Sequence, residues 1–133
     1  MMKDKNLLVM INDDSEDHEI FEIAIREIDL PLQLLSFSDC EKALDHFGNK
    51  GAKAPGFVLI DLNLPRMRGD ECLVQLQKLR EFDHPVIVIY STSIPVLWQA
   101  KLEAMGIDNF LEKSGSIDTL TRDIKKLLEN ELS

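Results

Sequence analysis

The sequence predicts an α/β domain in which a doubly wound, five-stranded parallel sheet carries helices on both faces. Five short apolar runs alternate with five helical patterns, a (βα)5 order. The runs are mostly continuous apolar stretches rather than alternating ones, as strands covered on both faces require. A length of 133 residues suits one domain with a real core.

The first strand is Leu7–Ile11, ending in Asn12-Asp13-Asp14. A helix follows, with Ile20, Ala24 and Ile28 at i, i+4 spacing and Phe21 and Ile25 one position round. The second strand is Leu32–Ser36. Ser38 with Glu41 reads as a capping box for the second helix, which Gly48 ends. Residues 48–56, rich in glycine and lysine, read as a loop before the third strand and not as a domain linker. That strand, Phe57–Ile60, runs into Asp61. The third helix carries Leu73, Leu76 and Leu79. The fourth strand, Val86–Tyr90, runs into Ser91-Thr92-Ser93. Ile94-Pro95-Val96-Leu97-Trp98 then opens a helix that Gly106 ends. This opening is unusually apolar. Part of it must pack on the sheet, while Trp98 and one neighbour are equally suited to filling the core or to forming a partner or dimer patch. The fifth strand, Asn109–Leu111, runs into Glu112 and Lys113. Ser116 caps a last helix with Ile117, Leu120, Ile124, Leu127 and Leu128 on one stripe.

Composition narrows the function. The net charge is 15 − 24 = −9, which repels nucleic acid and anionic membrane over most of the surface and argues against direct DNA binding, while basic partners or cations stay open. The apolar stretch Leu7–Ile11 is too short for a signal peptide, and no run approaches the ~18 residues of a membrane span, so a cytoplasmic location is expected. Cys40 and Cys72 lack Cys-x-x-Cys spacing and read as two reduced packing thiols. His18, His46 and His84 share no ligand spacing, which disfavours a zinc site or histidine catalysis.

Right-handed crossovers put the C-terminal ends of all parallel strands on one rim. There the sequence gathers the carboxylates after the first strand, Asp61, the Ser91 hydroxyl and the Lys113 ammonium. Two carboxylates ~4 Å apart repel by roughly 4 kcal/mol at an effective dielectric near 20, so a positive group must offset them. Such an oxygen-rich set suits a hard divalent cation and a phosphoryl group. Taken singly, each element has an ordinary reading: Asp13 and Asp14 as helix caps, Ser91 as a loop hydroxyl, Lys113 as a solvated lysine, Phe110 as packing, and Arg66 and Arg68 as a solvated turn.

Together, Asp61-Leu62-Asn63-Leu64-Pro65-Arg66-Met67-Arg68-Gly69, the acids after the first strand, Ser91 and Lys113 resemble the receiver domain of two-component response regulators. Ser91 lies 30 residues after Asp61 and Lys113 lies 22 after Ser91, which matches the family's usual spacing. The resemblance covers essentially the whole chain. It is strongest to stand-alone receivers, similar to the chemotaxis receiver and to the partners of phytochrome-type histidine kinases.

The resemblance implies a single receiver domain over residues 1–133 with no output domain. Asp61 would accept a phosphoryl group from a sensor histidine kinase or a phosphotransfer protein, with Mg²⁺ or Mn²⁺ as cofactor. Asp13 and Asp61 would hold the metal with the backbone carbonyl of Asn63. Asn12 and Asp13 occupy the usual acid pair, with Asp14 an additional acid; the alternative register uses Asp13 and Asp14. Lys113 would pair with Asp61 and then with a phosphoryl oxygen. Ser91 and Phe110 would form the switch, with Thr92 tuning access to the phosphoryl group. Output would pass by protein contact through the fourth helix, fifth strand and fifth helix, a face that also suits a homodimer, toward a target the sequence does not name.

Three positions depart from the family pattern. Asn12 replaces an acid. Thr92 is bulkier than the usual small residue. Lys113 is followed by Ser114 rather than by the proline that commonly forms a cis peptide. These departures keep alive a pseudo-receiver, an interaction module that does not use phosphorylation. A haloacid-dehalogenase-type phosphohydrolase wants an acid where Asn63 stands, and a flavodoxin-like flavin binder wants a phosphate loop after the first strand that is missing here.

Overall fold

The computed structural model describes residues 3–80, 82–92, 94–107, 109–113 and 116–132. Among these, five strands alternate with five helices: β1 Lys3–Ile11, α1 Ser15–Arg26, β2 Gln33–Phe37, α2 Cys40–Phe47, β3 Ala54–Ile60, α3 Gly69–Leu76, β4 Val86–Ser91, α4 Val96–Ala104, β5 Asn109–Glu112 and α5 Ile117–Leu132. All strand pairs are parallel, in the order β2-β1-β3-β4-β5. The chain therefore winds one way from β1 and the other way from β3. The crevice beyond the C-terminal ends of these two strands is the place such sheets offer to a ligand.

Alternation along each strand divides the core into two layers. Leu7, Val9, Ile11, Val58, Ile60 and Ile89 face one cluster, with Ala43, Phe47, Leu73, Leu76 and Leu102 from α2, α3 and α4. Leu8, Met10, Phe57, Leu59, Val88 and Tyr90 face the other, with Phe21, Ala24 and Ile25 from α1 and Leu120, Ile124 and Leu128 from α5. Every residue of β3 is buried, which explains its unbroken apolar run.

Local signals hold in most places. Ser116 Oγ accepts from Thr119 N at 3.3 Å, as a cap does. After α4, Gly106 takes φ +87°, and the N–H groups of Gly106 and Ile107 return to the carbonyls of Glu103 and Leu102, both at 2.9 Å. This is a full Schellman ending, which glycine permits without strain.

Four expectations need correction. The cap of α2 is Asp39, whose Oδ1 accepts from Lys42 N at 2.9 Å. Ser38 instead meets Lys42 Nζ at 2.9 Å. The helix starts one residue later than the capping-box reading, and the carboxylate complements its positive end better than a hydroxyl. Residues 54–56 are strand, not loop, paired to β1 as Lys3↔Ala54 and Asp4↔Pro55. Proline is tolerated because pairing with β4 begins only at Phe57. The third helical stripe is shorter than read: α3 ends at Leu76, and Leu79 packs from the turn beyond. Cys40 and Cys72 are joined in a disulfide, not present as two thiols. Separation in sequence misled here, because α2 and α3 lie side by side on one face and bring the two Cα atoms to 5.8 Å, within bonding range.

Trp98 is half-buried and packs against the α2–α3–α4 cluster, with Lys101 Nζ 4.7 Å and Arg68 Cζ 5.1 Å from its ring centroid. Pro95, Val96 and Leu97 of this stretch are exposed, the last two at 80% and 85%. Among the described residues no helix is long and apolar enough to cross a membrane. The Lys113–Ser114 peptide lies outside the described residues.

Candidate functional site at the sheet rim

Asp61 stands where β3 ends, and its backbone N–H donates to the Ile11 carbonyl at 3.1 Å, tying it to the end of β1. Its side chain is buried, and Oδ1 accepts from Asn63 N at 2.9 Å, which turns the chain out of the strand. The turn closes through Gly69 N to Leu62 O at 2.9 Å. A Cβ on Gly69 would lie 2.4 Å from the Asp61 carbonyl oxygen, so this close approach admits only glycine.

Lys113 leaves β5 with its backbone N–H on the Ser91 carbonyl at 3.0 Å. Its ammonium reaches across the rim to Asp61 Oδ2 at 2.8 Å and to Asp17 Oδ2 at 2.5 Å. The three side chains are only 17%, 8% and 13% exposed, respectively. The ammonium also sits 5.3 Å from the Tyr90 ring centroid, a favourable face for a cation. Burial disfavours the charged lysine, but the bonds from Asp17 and Asp61 outweigh it and hold Lys113 above its ordinary 10.5. The Tyr90 phenol is pushed up to about 12, chiefly by burial and then by the nearby Asp17 charge.

Asp17 was missed in the sequence, where it reads as one of several acids favourable in a first helical turn. Asn12 is 1% exposed and donates from Nδ2 to the same Asp17 Oδ2 at 2.9 Å, while its Oδ1 accepts from Asp14 N at 3.0 Å. The His18 Nε2 donates to the Asn12 carbonyl at 2.5 Å. Asp14 caps α1, its Oδ1 accepting from Glu16 N at 2.9 Å.

The fold thus brings Asp61, Lys113 and Asn12 together and adds Asp17. Ser91 is buried beside them, at the start of the segment leading to α4. Asp13 and Asn63 are exposed at the rim, and Phe110 is half-buried against the α2–α3–α4 layer. Thr92 is exposed and, with Asn63, Leu62, Arg68, Asp70, Pro95 and Trp98, lines a cleft of about 300 Å³ next to Asp61. Beneath that cleft, Asp70 is buried and bonded by Lys101 at 3.2 Å and by Arg68 at 3.2 and 3.4 Å. Burial pushes its carboxyl up, but these two cations hold it below its ordinary 3.8.

Among the described residues no three His, Cys, Asp or Glu side chains are grouped to hold a metal ion by themselves. The donors present still fit a hard divalent cation in kind. They are carboxylates of Asp61 and Asp13 and a backbone carbonyl at Asn63, and Mg²⁺ takes few protein ligands and keeps several waters.

The family model of the response regulator receiver domain matches residues 8–125. The chain belongs to that family. Receiver domains are signalling phosphoacceptors that bind a divalent metal and engage phosphodonor kinases and downstream targets. The phosphorylated cyanobacterial phytochrome response regulator RcpA superposes with a TM-score of 0.82 at 22% identity, over 96% of this chain and 94% of that one. A response regulator in red light signaling of R. palustris gives 0.76 at 25% identity, over 91% and 90%. The Mn²⁺-bound form of the response regulator Rcp1 gives 0.78 at 18% identity, over 92% and 91%. No curated protein sequence matches the chain.

Proposed function

We propose that this receiver domain is a phosphoacceptor switch of a histidine–aspartate relay, with Asp61 as the acceptor. The observation that carries the reading is the Lys113 ammonium held 2.8 Å from the buried Asp61 carboxylate, across 52 residues of sequence. An Asp61 oxygen attacks phosphorus in line. The O–P bond forms as the N–P bond of a kinase or phosphotransfer phosphohistidine breaks, and the electron pair leaves with the imidazole nitrogen, which takes up a proton. Lys113 stands where charge builds on the phosphoryl oxygens, the electrostatic help on which such transfer depends. The Gly69 turn fixes the nucleophile's backbone. Asp13, Asp61 and the Asn63 carbonyl would hold Mg²⁺ or Mn²⁺, with Asn12 and Asp14 behind them, and the ion would neutralise phosphoryl charge.

The added group carries about −2 charge and three strong acceptors, which draw in the Ser91 hydroxyl and pull the segment that leads to α4. Phe110 follows, and the surface of α4, β5 and α5, with exposed Val96 and Leu97, changes for a partner or a second copy. In this reading the chain acts in the cytoplasm and its output is protein contact.

Incubation with acetyl phosphate and Mg²⁺ tests the proposal. The expected result is one acid-stable, hydroxylamine-labile phosphoryl group, lost in Asp61→Asn. No uptake by the wild-type chain would contradict it and leave a pseudo-receiver.

A further inference from the structure

We propose that Asp17 is a positioning residue for this site, holding the Lys113 ammonium against Asp61 and filling with its carboxylate the place that the buried amide of Asn12 leaves uncharged. The inference rests on the phosphoacceptor reading and deepens it.

The Lys113 backbone is fixed where its N–H bonds the Ser91 carbonyl, and the Tyr90 ring lies 5.3 Å from the ammonium without a directional bond. A flexible four-carbon chain does not place its own ammonium, so something at the far end must. Asp61 supplies one contact, but Asp61 is the reacting group. Once its oxygen carries phosphorus, the second anchor is Asp17, in the first turn of α1, 96 residues away in sequence.

Asp17 is itself held. Asn12 Nδ2 donates to the oxygen that receives Lys113, and Asn12 is pinned at its other end by Asp14 N. Asn12 therefore orients a carboxylate without adding charge. A purely structural role explains Asp17 poorly. The cap of α1 is Asp14, and a solvated first-turn acid would not sit 13% exposed against an ammonium.

The test uses the full chain with acetyl phosphate and Mg²⁺, varying acetyl phosphate and reading maximal rate apart from half-saturation. In Asp17→Asn the maximal rate should fall about tenfold, with half-saturation changed less than about twofold. Asp17→Glu, which keeps the charge, should recover most of the rate. In a Lys113→Ala background, Asp17→Asn should slow the reaction no further, because its effect runs through the ammonium. Acetylation of Lys113 by acetic anhydride, mapped by mass spectrometry without phosphodonor, should be about tenfold faster in Asp17→Asn, with other lysines unchanged.

Equal slowing in both backgrounds, or Lys113 acetylation at the wild-type rate, would overturn the inference while Asp61 still takes up phosphate. A wild-type chain that takes up none would remove the phosphoacceptor reading and this inference with it. Thermal unfolding checks that each variant is folded, and Asp17→Ala carries the comparison in both backgrounds if Asp17→Asn is not.

Discussion

Asn12 carries an amide where an acid is usual, and its surroundings make the substitution costly to reverse. The side chain is 1% exposed and lies 2.9 Å from the Asp17 carboxylate. Asn12→Asp would set two buried anions in contact, with repulsion of roughly 4 kcal/mol at an effective dielectric near 20. We expect a lower melting temperature for Asn12→Asp at pH 7, and recovery when Asp17→Asn is added. A variant as stable as wild type would show that the rim tolerates the extra charge. Thr92 is exposed on the cleft beside Asn63; in the proposed switch its bulk would obstruct water approaching a phosphoryl group on Asp61. Thr92→Ala should shorten the phosphorylated lifetime several-fold, read by loss of label after the donor is removed; equal decay rates would remove Thr92 from that role.

Between elements, two cross-links tie α3 to its neighbours. The Cys40–Cys72 bond joins α2 to α3 across a separation of 32 residues. Chain entropy alone assigns such a loop ~3–4 kcal/mol. Replacing both cysteines by alanine should therefore lower the urea midpoint clearly, and an unchanged midpoint would mean that the bond adds nothing. On the other side, Asp70 binds Lys101 of α4. Its two cationic partners are about half exposed, so screening limits the arrangement to ~1 kcal/mol. Because the folded carboxyl titrates below its ordinary 3.8, this stability is complete above that pH and is lost as pH falls through the folded value. The gap in melting temperature between wild type and Asp70→Asn should be open at pH 7 and close below about pH 3.8. A gap independent of pH would show that packing, not charge, sets it.

In the whole molecule, the alternation of strands with helices and the covering of both sheet faces were legible because they depend on period, whereas the strand order β2-β1-β3-β4-β5 was not. The unbroken run Phe57–Ile60 is a strand buried on both faces, and the i, i+4 stripes of α1 and α5 cover one side of the sheet. The pairing of Lys113 with Asp61 was legible through spacing that the family resemblance made meaningful. What escaped depended on distances that no period encodes. The approach of α2 to α3 turned two thiols into a disulfide. Asp39 outcompeted Ser38 for the helix end. Asp17, one acid among several on α1, was singled out only by where the first turn of that helix meets the rim.

In the proposed switch the carboxylate at the end of β3 carries the phosphoryl group. Borohydride reduction of the chain after acetyl phosphate treatment converts an aspartyl phosphate to homoserine, which peptide mass spectrometry locates. Homoserine at position 61, absent from protein not treated with the donor, is the predicted result; homoserine at Asp13, Asp14 or Asp17, or at no position, would contradict it.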